Sequence, residues 1–181
     1  YLESATNLTI TSGGADIESD EDYADRIRIA PNSFSVAGSE KSYIYHTYSV
    51  NPAIIDVSVY SSAPGEVEIY TLLDGGELPT EDVLEQIETY LTGDTIRPLT
   101  DHVTALAPEV VEYSIAVDYW INKEDIAKAE TIKAAVAAAV EDYRFWQQTK
   151  IGRDITPDAL IGRVMAAGAA RVNFPTLSPS A

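Results

Sequence analysis

The stretch from residue 54 to 107 constrains the fold most, because its hydrophobic period switches from that of a strand to that of a helix and back. Ile55, Val57 and Val59 alternate with Asp56, Ser58 and Tyr60, and beyond Pro64-Gly65 the residues Val67, Ile69 and Thr71 alternate with Glu68 and Tyr70. Such alternation gives each strand one buried and one wet face, and the Pro-Gly pair supplies a turn, so this part predicts a β-hairpin. Asp74-Gly75-Gly76 interrupts the second strand. Pro79-Thr80 then opens a segment in which Val83, Leu84, Ile87, Tyr90 and Leu91 share one helical stripe, with Thr80 as N-cap and Gly93 as C-cap. After the Arg97-Pro98 corner, His102 to Leu106 has strand character again. The order ββαβ is that of a small α+β unit.

Upstream, residues 1 to 18 are rich in Ser, Thr, Gly and Asp and read as an extended linker, with one short strand at Leu8 to Thr11. Ser19 caps a short helix that runs through Asp20, Glu21 and Asp22 to about Ile29 and stops at Pro31. Ala37-Gly38-Ser39 starts a second helix carrying Tyr43, Ile44, Thr47 and Tyr48 on one face, closed by Pro52. Downstream, Val111, Tyr113, Ile115, Val117, Tyr119 and Ile121 alternate with Glu112, Ser114, Ala116, Asp118 and Trp120 and predict one long strand. A helix from Lys123 or Asp125 to about Thr149 has the stripe Ile132, Val136, Ala139, Val140 and Tyr143, ended by Gly152. Thr156-Pro157-Asp158 starts a further helix with Leu160, Ile161, Val164 and Met165 on its apolar face, ended by Gly168. Val172, Phe174 and Thr176 alternate as a last strand, confined to an edge by Pro175.

The fold class expected is therefore α+β, with two small α/β sandwich-like modules, ββαβ followed by βααβ, preceded by short helices and the linker. The divisions fall at 1–52 (linker and short helical segment), 53–108 (first module) and 109–181 (second module). Two strands make a poor sheet for burying two helices. The second module accordingly reads as truncated, and a chain that starts at Tyr1 reads as part of a longer polypeptide.

Charge decides which partners suit it. A net charge of −17 and only 12 Lys and Arg leave no basic footprint for phosphate contacts, which argues against nucleic acid and anionic membrane. Residues 51 to 100 hold ten Asp or Glu against the single Arg97, an asymmetry that suits a neighbour with a basic face. No window is apolar for long enough to span a bilayer. With no cysteine, disulfides and thiolate zinc sites are excluded.

Tests for chemistry fail one after another. The cluster Asp16, Glu18, Asp20, Glu21, Asp22 and Asp25 lacks the calcium-loop pattern, since Glu21 occupies the required Gly and Ile27 the closing Glu. His46 and His102 have no ligand partner at metal spacing. Asp101 beside His102 could orient a base, but no nucleophile or oxyanion donor accompanies the pair. Gly13-Gly14 and Gly75-Gly76 lack phosphate-loop spacing and read as turns. No catalytic, cofactor or metal residue is assigned, and the chain is not expected to be an enzyme.

Taken in order, Gly13-Gly14-Ala15-Asp16, the helix at Asp20 to Ile29, Ala37-Gly38, Asp56-Val57-Ser58-Val59, Pro64-Gly65, Arg97-Pro98-Leu99-Thr100-Asp101, Trp146-Gln147, Gly152-Arg153-Asp154-Ile155 and Thr156-Pro157 resemble the baseplate J-like proteins of contractile phage tails. The resemblance implies a structural wedge component of the baseplate in a phage, prophage or phage-tail-like particle. It also implies partners among wedge and tail proteins, self-association in a sixfold ring, and a location in the virion tail baseplate after assembly in the host cytoplasm. It carries no catalytic or cofactor residue.

Four residues are candidate interface positions. Arg97 either forks onto a carboxylate such as Asp101 or makes an intersubunit contact. Phe145 and Trp146 accompany Tyr143 on more than one face of the long helix, so one of them could anchor an interface or be covered by the rest of its module. Two other classes stay open. One is a receptor- or surface-binding module using Tyr43, Tyr45 and Tyr48; the other is an accessory domain of an acid-tolerant hydrolase, which needs paired carboxylates in a cleft.

Overall fold

The computed structural model describes residues 19–31, 38–93 and 96–173 and the backbone of 178–179. The linker, its strand at Leu8 to Thr11, the Gly13-Gly14-Ala15-Asp16 motif, Ala37, Phe174 and Thr176 lie outside the described residues. Helices α1 (Asp20–Ile29) and α2 (Glu40–Tyr48) come first, with Ser39 capping α2 by accepting the Ser42 N–H.

The predicted hairpin is β1 (Ile54–Tyr60) paired antiparallel with β2 (Glu66–Leu73), followed by α3 (Glu81–Leu91) and β3 (His102–Leu106). Sheet order is β1-β2-β3, with β3 parallel to β2, so α3 is the crossover that a parallel pair requires. Ile54 pairs with Leu73 and Asp56 with Leu72, which leaves Ile55 as the extra residue of a bulge. The bulge shifts the buried face: Ile54 and Val57 enter the core, and the expected Ile55 stays half-buried. Ile69, Val103 and Ala105 of the sheet, Ile87 and Leu91 of α3 and Tyr43 of α2 close one hydrophobic cluster. Helix α3 ends at a Thr92 C-cap, one residue before the predicted Gly93.

The long strand predicted from Val111 to Ile121 is instead two short ones, β4 (Tyr113–Ser114) and β5 (Asp118–Trp120). β4 pairs with β7 (Ser178–Pro179) and β5 with β6 (Arg171–Asn173), both antiparallel. The registers of the two ladders differ by one residue, which interrupts the pairing between β4 and β5. The alternation itself is right, because Tyr113, Ile115, Val117, Tyr119 and Ile121 all pack on the second cluster. A 3₁₀ segment, Lys123–Lys128, precedes α4 (Ala129–Gln148), and α5 (Pro157–Ala166) packs against α4. Ile132, Val136, Tyr143, Leu160 and Val164 form this core, while Met165, predicted on the apolar face of α5, is exposed.

None of β4 to β7 joins the first sheet. The two units meet where α4 ends. Asp56 accepts the Ile151 N–H at 2.7 Å, and the Gln148 side chain donates to the Gly75 carbonyl at 2.8 Å. Among the described residues no helix is long and apolar enough to cross a membrane.

Candidate assembly surface

A clasp holds the turn after α3 to the start of α2. Tyr43 faces inward from α2, is only 2% exposed, and donates its hydroxyl to Asp101 Oδ2 at 2.8 Å. Burial, and then the hydrogen bond to the Asp101 carboxylate, push the phenol above its ordinary range. Gly38, with φ at +69°, comes so close that a Cβ there would lie 2.7 Å from Asp101 Oδ2 and 2.8 Å from Pro98 Cγ. A side chain would therefore meet both a forbidden dihedral and a wall.

Arg97 stitches the same turn from the other side. Where a fork onto a carboxylate was expected, its guanidinium donates to carbonyls: Thr92 through Nε at 3.2 Å, and Asp101 and Pro98 through Nη1 at 2.8 and 3.3 Å. Asp101 N–H donates back to the Pro98 carbonyl, and His102 N–H to Gly65. The Asp101 carboxylate, the candidate orienter of His102, accepts from Tyr43 and Thr100. This geometry holds a loop in one shape. An open cleft of about 350 Å³ runs beside it, lined by Gly38, Glu40, Tyr43, Tyr60, Ser61 and Asp101 among others.

Phe145 and Trp146 belong to the second unit and are not part of this clasp. Phe145 is 55% exposed on α4. Trp146 is half-buried between the Arg153 and Arg163 guanidinium groups, 4.0 and 4.6 Å from its ring, and packs on the second core. Among the described residues no group of three His, Cys, Asp or Glu side chains is placed to hold a metal ion.

Sequence reasoning named Gly38 as part of a helix start and Tyr43 on one face of that helix, but connected neither with residues 98 to 101. A Gly directly before an N-cap Ser hinted at a special backbone, but the contact with residues 98 to 101 exists only in three dimensions.

The profile of the Baseplate J-like central domain matches residues 35–107, the span that contains α2, the three-stranded sheet, α3 and the clasp. Baseplate protein J of Escherichia phage P2 is 34% identical over 171 residues, 94% of this chain. The chain carries a baseplate J-like central domain. It spans 56% of the length of that relative. The baseplate J-like central domain is thus built around the first core, and the similarity to the phage P2 protein extends well past it into α4 and α5.

Proposed function

We propose that the protein is a structural component of a contractile-tail baseplate wedge, working through contacts with neighbouring tail proteins rather than through catalysis. The observation that carries this reading is 34% identity to a phage baseplate protein over 94% of the chain. Two features support it. The clasp immobilises a surface turn instead of arranging reactive groups, and the acidity of residues 51 to 100 suits docking against basic neighbours. Arg97 and Asp101 act as the frame of a contact surface, and Phe145 is exposed for a second contact. Sixfold self-association and passage through the host cytoplasm before incorporation belong to the same proposal.

Mass spectrometry of purified tail particles tests it. Peptides of this chain recovered with other baseplate proteins are expected. Intact tails without the chain, with the protein free in the cytosol, overturn the reading.

A further inference from the structure

We propose that Leu99 is the anchor of an intermolecular contact, inserted into an apolar cup of a neighbouring protein whose rim carries Lys or Arg; the inference rests on the baseplate reading above. Single exposed apolar residues are ordinary on protein surfaces, so exposure alone decides nothing. What sets Leu99 apart is exposure together with immobility. At 94% exposed it is the most exposed of the large apolar side chains described, yet it sits in a turn whose backbone and flanking residues are hydrogen-bonded and packed. Arg97 donates to the carbonyls of Pro98, Leu99 and Asp101, Pro98 abuts Gly38, and Asp101 is clasped by Tyr43. Little conformational freedom remains to be lost when this tip docks, and that is the condition under which one apolar side chain contributes much to affinity.

The charge of the partner follows from the flank. Beyond Asp101 the turn borders the open cleft of about 350 Å³, whose lining includes the carboxylates of Glu40 and Asp101, with Tyr60 exposed at its edge. Glu40 and Asp101 are the charged side chains in that lining, and Arg97, which donates to carbonyls of the turn, is not part of it. A Lys or Arg from the partner, placed next to the cup that takes Leu99, would enter this cleft and find charge complementarity there.

The test uses the chain in its full-length gene, expressed in the producing strain, with L99D and with a photo-crosslinking residue at position 99. L99D should melt like the parent yet be recovered in tail particles roughly tenfold less or lower, the effect of losing a central anchor. The crosslinker should yield an intermolecular adduct on a peptide that combines apolar residues with Lys or Arg. Parental recovery of L99D in particles overturns the anchor while leaving the baseplate reading intact. If the parent chain itself is missing from particles, the baseplate reading falls. The crosslink in whole cells then decides the anchor alone: an adduct on an apolar, basic peptide sustains it, and any other result ends it.

Discussion

Tyr43 and Gly38 show how much of the clasp rests on single residues. Tyr43→Phe keeps the ring in the core and removes only the hydroxyl that meets Asp101, so a loss of about 1 kcal/mol in urea unfolding is expected. The pH dependence has a definite sign. Folding raises the phenol pKa, so the folded state holds this proton more tightly than the unfolded chain does. The stabilisation is whole below about pH 10, where a free phenol titrates, and is lost as pH climbs through the higher folded value. The stability of the parent should therefore fall more steeply than that of Tyr43→Phe above about pH 10, a difference that cancels the other tyrosines. At Gly38 an alanine would need φ near +69° and would press its Cβ on Asp101 and Pro98. Gly38→Ala should cost about 2 kcal/mol, read as a lower denaturant midpoint. Arg97 and Asp101 were legible as a pair because they are four residues apart. The link from Tyr43 to Asp101 spans 58 residues and was not.

At the scale of elements, period alone located β1, β2, α3, β3, α4 and α5, because each has one face against a core. It did not locate the bulge at Ile55 or the break between β4 and β5, since both are set by how partner strands align and not by the strand's own alternation. Nor did it foresee how the edge of the sheet is closed. Among the described residues β3 is an edge strand, and its Ala105 N–H donates to the Glu88 carboxylate of α3 at 2.8 Å. A side chain from the crossover helix thus takes the place of a further strand and blunts an edge that would otherwise invite pairing. Glu88→Ala leaves that half-buried donor without its carboxylate and should cost about 2 kcal/mol, whereas Glu88→Gln, which retains an acceptor oxygen, should cost less. Amide exchange at Ala105 separates the mechanism from a general loss of stability. It should accelerate in Glu88→Ala well beyond what the change in global stability explains.

For the whole molecule, the question is whether two cores act as one body. The clusters share no buried residue: one is closed by Tyr43, Ile69 and Ile87, the other by Ile132, Tyr143 and Val164. Between them lies a small junction at the end of α4, made by Asp56 with the Ile151 N–H, Gln148 with the Gly75 carbonyl, and Gly76 against Gln148. Gly76 has φ at +79°, and a Cβ there would lie 2.6 Å from the Gln148 carbonyl oxygen, so the close approach requires glycine. Junctions this small let units move relative to one another unless polar contacts lock them. Asp56→Ala with Gln148→Ala removes both hydrogen bonds without touching either core. The double variant should then show two separated thermal transitions and a larger radius of gyration in solution scattering, against a single coupled transition for the parent. Gly76→Val, which drives a wedge into the same contact from the opposite side, should reproduce the separation. Were both variants to unfold in one transition with unchanged dimensions, the units would be coupled through packing rather than through this junction.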